Sequence, residues 1–241
     1  MILDVDLSQI EWRVCADLTQ DPVMMQEIRQ GQDQHAFTCE HLMELPVTKE
    51  NRGDAKIFNF RAIYADPNSA AYAYFMDVKM PPFSQKKWDK IVQGFFEKYN
   101  GMVKAHNEWV KQVRHTGQII GPTGRIWKFM KEDKGGYKDY SVTKIRNYPV
   151  QGSSGDLIKL ALIKIRQRIQ HIPSALLTMT VHDSIILDIE ERFIEETARI
   201  CIDTFQELPL LAEKYFNWKI SVPITGEAEF GPSWGDMRPV F

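Results

Sequence analysis

Residues 178–189, TMTVHDSIILDI, constrain the fold more than any other stretch of the 241-residue chain. Runs of β-branched and aliphatic residues flank His182, Asp183 and Ser184, which are turn formers. Val181, Ile185, Ile186 and Leu187 follow the pattern of strands buried on at least one face. The spacing predicts a hairpin, and a hairpin this apolar needs a sheet to join. Its tip carries an ionisable His-Asp pair. Such a tip is either a polar turn facing water or a rigid platform for a metal-binding carboxylate. The second reading requires another carboxylate from elsewhere in the chain.

The opening residues offer one. MILDVDL alternates as a strand, with Asp4 and Asp6 on one face, and turns helical from about Ser8, where Ile10, Val14 and Leu18 recur. If that strand pairs with the hairpin, two carboxylates meet at a sheet edge. Like charges so close repel unless a cation lies between them, so the pair predicts a divalent metal. Oxygen-only ligands favour Mg²⁺, which keeps several waters and uses one or two carboxylates plus substrate phosphates. Two ions about 3.5–4 Å apart would activate a hydroxyl and stabilise a leaving pyrophosphate.

Between these ends the chain reads as mostly helix. Residues 45–67 read as a long helical stretch with Thr48 as N-cap, Glu50 in its first turn and Pro67 after its end. Residues 84–116 read as amphipathic helix broken near Asn100-Gly101, and residues 117–129 as strand-turn-strand. A helix with an apolar stripe begins near Ser153, another spans about 191–207, and a β-like segment closes the sequence. Strands near both ends with helix between them predict an α+β fold, a sheet domain with a helical insertion.

Arg52, Lys56, Phe60 and Tyr64 recur every four residues and form a slowly winding stripe. Cations at its start suit a triphosphate and aromatics further along suit a base or sugar. The alternative is core aromatics and solvated cations. His35, Cys39 and His41 lack the fourth ligand and the spacing of a zinc site. His35 reads better as a further cation or donor leading into that helix.

Formal net charge is −2, which does not advertise a nucleic-acid binder, but its distribution says more. Residues 125–146 hold seven basic against three acidic side chains, and residues 183–241 hold twelve acidic against five basic. The basic middle is either a solvated face or the part that meets phosphates. No apolar run approaches a transmembrane length, the N-terminus lacks the regions of a signal peptide, and three scattered cysteines make no framework. The cytoplasm, that of a phage-infected bacterial cell included, or an organelle is therefore expected, with no membrane partner.

These residues converge on a family. DLSQIEWRVCADLTQDP resembles the first palm motif of family A DNA polymerases, the group of bacterial DNA polymerase I. Residues 33–67 resemble their fingers segment, residues 146–163 the palm helix that follows, and VHDSIILDI the last motif. The resemblance implies a polymerase palm, an antiparallel sheet with helices, over residues 1–20 and 147–241, with inserted helical fingers over 21–146. It implies dNTPs and primer-template DNA as partners and two Mg²⁺ ions as cofactors, with Mn²⁺ able to substitute. Asp6 and Asp183 would hold the metals, Asp6 rather than Asp4 by its offset from Glu11. Glu11 would exclude a 2′-hydroxyl. Arg52, Lys56 and His35 would grip the triphosphate, with Lys56 also protonating the leaving pyrophosphate. Phe60 would pack on the sugar and discriminate against dideoxynucleotides, and Tyr64 would guard the templating-base pocket. Arg13, Asn147, Gln151 and His182 match residues that contact primer-template.

The sequence also departs from the family. Ser184 stands where a Glu usually follows the His-Asp pair; HDS is typical of the related single-subunit RNA polymerases, which lack the Glu at position 11. Arg61 and Ala65 replace glycines common in the fingers helix. A thumb, further palm and a proofreading exonuclease would precede the first motif, yet Met1 lies five residues before Asp6. The expectation is therefore one chain of a split DNA polymerase, completed by a second polypeptide. RNA synthesis on the same fold, a non-catalytic DNA-binding remnant and a metal nuclease are the rivals.

Overall fold

The computed structural model describes residues 1–65 and 83–241. Pro67, expected to follow the long helix, lies outside the described residues. In chain order come β1 (Ile2–Leu7), α1 (Ile10–Thr19), α2 (Pro22–Arg29), α3 (Gln34–Phe37), a π-helical turn (Thr38–Leu42) and α4 (Lys49–Ala62). Next are α5 (Gln85–Lys98), α6 (Asn100–Thr116), and short strands β2 (Gln118–Ile120), β3 (Ile126–Lys128), β4 (Lys131–Asp133) and β5 (Lys138–Tyr140). Then follow α7 (Val142–Arg168), β6 (Leu176–Val181), β7 (Ser184–Asp188), α8 (Ile194–Gln206), α9 (Leu208–Phe216), β8 (Gly226–Ser233) and β9 (Asp236–Pro239). The fold is mixed helix and antiparallel sheet.

The chain divides into two compact units. The first holds residues 1–14, 122–124 and 152–241, and the second holds residues 15–121 and 125–151; two of the four boundaries fall inside helices α1 and α7 and the other two between β2 and β3.

The first unit is built on a five-stranded sheet of order β6-β7-β1-β8-β9. The expected hairpin is β6–β7, turning at His182-Asp183, with His182 in the left-handed region at φ 55°. β1 pairs antiparallel with β7 on one side and β8 on the other. Alternation along β1 buries Leu3, Val5 and Leu7 on one face and leaves Asp4 and Asp6 half-buried on the other. Each buried aliphatic contributes on the order of 2 kcal/mol, which fixes the register, because a one-residue slip would bury the aspartates instead. Helix α8 packs on β1 and β8. Gly226, paired with Leu7, is needed here: a Cβ would stand 2.4 Å from Phe205 of α8 and 2.7 Å from the Asp6 carbonyl oxygen. Phe205 therefore braces the strand end from which Asp6 projects.

The second unit is mainly helical. Phe58 of α4 packs against Trp88 and Phe95 of α5, at ring-centroid distances of 5.9 and 5.5 Å. The break between α5 and α6 falls at Tyr99, whose hydroxyl donates to buried Glu27 at 2.9 Å. Lys98 pairs with the same carboxylate at 2.6 Å, so neither charge is left uncompensated. A second cluster, Val110, Val113, Ile119 and Ile145, joins α6 and the start of α7 to the short strands.

Helix α7 begins at Val142, about ten residues before the expected start. Pro149 inside it reads as a helix breaker because it lacks an N–H and clashes with the preceding turn. Here Ile145, Val150 and Leu157 are fully buried, and that packing holds the helix through the proline.

Candidate active site

Pairing of β1 with β7 sets Asp6 directly opposite Ser184, the first residue of β7. One step further, the Leu7 N–H donates to the Asp183 carbonyl at 3.2 Å. Asp6, near the end of β1, and Asp183, in the turn just before β7, thus lie at one end of the sheet. The Ser184 hydroxyl donates to Asp6 Oδ2 at 3.0 Å and also lies in hydrogen-bonding reach of Asp4. Burial pushes the Asp4 carboxyl up from the usual carboxylate range; Ser184 and Trp234 act to lower it, while repulsion from Asp6 adds to the rise. Asp4 Oδ1 is buried without a hydrogen-bond partner.

The donor set fits a hard divalent cation. Asp6 and Asp183 offer only oxygen, and beside them Asp4 repels Asp6 and keeps one carboxylate oxygen without a hydrogen-bond partner. Among the described residues no group of three or more His, Cys, Asp or Glu side chains is arranged to hold a metal. Two carboxylates with waters and phosphates completing the shell is the mode Mg²⁺ prefers.

The same unit carries three other candidates. Glu11 lies half-buried in the first turn of α1. Arg13 is half-buried, and its guanidinium donates to the carbonyls of Ser8 at 2.8 Å and Pro223 at 2.6 Å. Burial lowers its pKa from the usual value. Arg13 therefore also ties α1 to the segment before β8. His182 is exposed at the hairpin turn.

The helical unit carries the rest. Thr48 caps α4 as expected, accepting from the Asn51 N–H at 3.2 Å. Arg52 and Phe60 are half-exposed, Lys56 is exposed with Nζ 6.0 Å from the Phe60 ring centroid, and Tyr64 is buried just beyond the helix end. Asn147 and Gln151 stand four residues apart on α7, the first half-exposed and the second exposed.

His35 requires a correction. It is fully buried, and its pKa falls to about 4, first through burial and further through Arg52 and Lys56, against an opposing pull from Asp33. At neutral pH it carries no charge, so it does not serve as a cation. The Asn59 amide nitrogen lies 3.0 Å from Nδ1, while Asn59 Oδ1 accepts the Thr38 hydroxyl. That orientation makes Nδ1 the acceptor of the Asn59 amide, while Nε2 faces the Gln34 side-chain amide nitrogen at 3.4 Å.

Two residues missed in the sequence organise this cluster. Asp33 caps α3 by accepting from the His35 and Ala36 amides at 3.0 Å each, and its other oxygen takes Arg52 Nε at 2.6 Å. Burial would raise its carboxyl pKa, but those hydrogen bonds outweigh it and hold the group below its ordinary value. Asn59 orients His35. The Asp-x-His spacing signals the cap, whereas nothing local announces the partnership with Arg52.

The family model for DNA polymerase family A matches residues 1–236. The chain belongs to DNA polymerase family A. Among curated relatives of this polymerase family, it is 27% identical to DNA polymerase I of Helicobacter pylori (strain J99 / ATCC 700824), over 98% of this chain and 25% of that protein. It is 28% identical to DNA polymerase I of Aquifex aeolicus (strain VF5), over 81% of this chain and 33% of that one. The POL domain of Pol1 from M. smegmatis, solved as a complex with DNA primer-template and dNTP, matches the fold with a TM-score of 0.76 at 22% identity. That match covers 97% of this chain and 40% of that one. This family A chain thus spans about a quarter to a third of the curated relatives it matches. Among the described residues no helix is long and apolar enough to cross a membrane.

Proposed function

We propose that this chain carries the catalytic step of template-directed DNA synthesis, adding dNTPs to a primer 3′-hydroxyl with release of pyrophosphate. The observation that supports it most is the β1–β7 register, which sets Asp6 opposite Ser184 and ties the Leu7 N–H to the Asp183 carbonyl, so that the two aspartates are backbone neighbours at one end of the sheet. In this reading residues 1–20 and 147–241 act as palm and 21–146 as fingers. Asp6 and Asp183 hold two divalent ions, Mg²⁺ or Mn²⁺, which when bound activate the attacking hydroxyl and neutralise charge on the leaving group.

The chain's own side chains do the rest. Arg52 (oriented by Asp33), Lys56 and uncharged His35 bind the triphosphate, and Lys56 gives a proton to the departing pyrophosphate. Phe60 packs on the sugar, Glu11 excludes a 2′-hydroxyl, and Tyr64 guards the templating base. Arg13, Asn147, Gln151 and His182 contact the primer-template. Phosphoryl transfer asks mainly for such positioning and for electrostatic stabilisation.

The same reading assigns the thumb and remaining palm to a second polypeptide. What supports it is the apolar face of the edge strand β6, where Leu176 is 56% exposed and Met179 51%.

The test is primer extension with Mg²⁺ and dNTPs, by the chain alone and after mixing with source-cell extract, beside Asp183→Asn. Asp183-dependent extension in either arm supports the reading, and its appearance only with extract supports the second polypeptide. No Asp183-dependent extension in either arm refutes it.

A further inference from the structure

Arg146, near the start of α7, is buried, with 2% of its surface exposed. A cation so far from water is costly unless it is well held, and an apolar side chain of similar volume would fill the space without that cost. What the guanidinium adds is its fork of donors. It donates to the Ala65 carbonyl and, at a longer 3.5 Å, to Asn107 Oδ1.

The Arg146–Ala65 bond has a residue assigned above to the template at each end. Ala65 directly follows Tyr64, and both are buried. The Tyr64 N–H donates to the Arg61 carbonyl at 3.2 Å and the Ala65 N–H to the Ala62 carbonyl at 3.1 Å, so the end of α4 tightens. The Ala65 carbonyl lies past those bonds, where a helix end leaves acceptors open and favours a cation. At the other end of the bond, Asn147 directly follows Arg146, and Gln151 stands one turn further along α7. Ile145, Arg146 and Val150 are buried, whereas Asn147 is half-exposed and Gln151 exposed. Burial of Arg146 beside Ile145 and Val150 sets the rotation of α7 that turns Asn147 and Gln151 outward. One side chain thus ties the end of α4 to the start of α7, all within the second unit.

We infer that Arg146 is a positioning residue for base selection, holding Tyr64 in place relative to Asn147 and Gln151 so that a mismatched dNTP meets a pocket that does not give way. The part in base selection rests on the polymerase reading; the anchoring of the α4 end does not.

The test compares Arg146→Met, which keeps an unbranched stem and removes the donors, with Arg146→Lys, which keeps the charge and one donating group. Amide hydrogen exchange on the chain alone reads the anchor. In Arg146→Met the Tyr64 and Ala65 amides should exchange roughly tenfold faster, with the Ala55 and Phe58 amides unchanged. Single-nucleotide insertion, in whichever preparation extends primers, reads selection. The ratio of kcat/KM for matched over mismatched dNTP should fall roughly tenfold in Arg146→Met, while KM for the matched dNTP stays within about threefold. Arg146→Lys should lie between parent and Arg146→Met in both readouts. Added to Tyr64→Ala, Arg146→Met should lower the ratio by no more than about a further twofold, because it acts through Tyr64. Unchanged exchange at Tyr64 and Ala65 overturns the inference, as does an unchanged ratio beside Asp183-dependent extension, or a full tenfold fall in the Tyr64→Ala background. If Arg146→Met does not melt cooperatively, Arg146→Lys carries the same comparisons, with changes of about threefold expected. If no preparation shows Asp183-dependent extension, the polymerase reading falls, and with it the part in base selection, while the exchange rates still decide the anchor.

Discussion

Acid should destabilise the helical unit through two buried imidazoles, and the size of the effect follows from their surroundings. His35 is fully buried and His106 is 2% exposed. Burial pulls their pKa values to about 4 and about 3, the second helped by the nearby Arg146 guanidinium. In the unfolded chain both titrate near 6.5. The unfolded state therefore binds more protons below pH 6.5, and stability, complete above that value, is lost as pH falls and levels off only below the folded pKa values. At about pH 5 each histidine lies roughly 1.5 units below its unfolded value, which at 1.36 kcal/mol per unit is about 2 kcal/mol. The pair then costs about 4 kcal/mol, a large share of a typical stability of about 5–15 kcal/mol. His106 packs against Trp109 with ring centroids 4.9 Å apart, and its Nε2 has no hydrogen-bond partner. His106→Phe therefore removes the titration while keeping a ring in place. Urea unfolding followed by tryptophan fluorescence, at about pH 7.5 and about pH 5, should show the variant losing about 2 kcal/mol less than the parent over that interval. Equal losses in the two proteins would refute the assignment of His106 as a buried neutral base.

The remaining predictions concern the proposed chemistry, read in whichever preparation extends primers. Asp33→Asn keeps a side chain able to cap α3 but removes the 2.6 Å partner of Arg52; KM for dNTPs should rise several-fold while stability changes by less than about 1 kcal/mol. Ser184→Ala deletes the hydroxyl that donates to Asp6 at 3.0 Å, a loss of about 1 kcal/mol, so a Mg²⁺ titration of extension should shift about fivefold to higher concentration. Glu11→Ala should raise ribonucleotide incorporation, and an unchanged preference would remove Glu11 from the sugar gate.

How much of this was legible in the sequence depended on how local each signal was. The hairpin and β1 showed through period-2 alternation, and the α5–α6 break showed at residues 99–101, because their causes lie within a few residues. Helix α7 was misjudged at its start because a proline outweighs neighbours whose burial only tertiary packing reveals. Helix α2 was passed over, although Asp21 caps it and Pro22 opens it. Arg52 could be singled out as a candidate from its stripe, but not its partner, since Asp33 lies 19 residues upstream. The sequence left His35 open between cation and donor for a related reason: burial, not residue type, decides its charge.

The choice between Asp4 and Asp6 shows what register adds to such a stripe argument. The two carboxylates share a face, but Asp4 lies opposite Ile186 and Glu229, deeper in the sheet than the Asp6–Ser184 pair. Burial favours the protonated form of Asp4, and Ser184 and Trp234 occupy its polar reach. Asp6 stands at the strand end beside the Asp183 turn. If Asp6 is the metal carboxylate, Asp6→Asn should lower kcat at least a hundredfold, about 2.7 kcal/mol of barrier, at saturating Mg²⁺. Asp4→Asn, which relieves a repulsion and removes no proposed ligand, should stay within about threefold of the parent. Both substitutions are isosteric, so thermal melts separate a folding defect from a catalytic one. A large loss at position 4 with little at position 6 would mean that the metals sit one pleat deeper than the register argument allows.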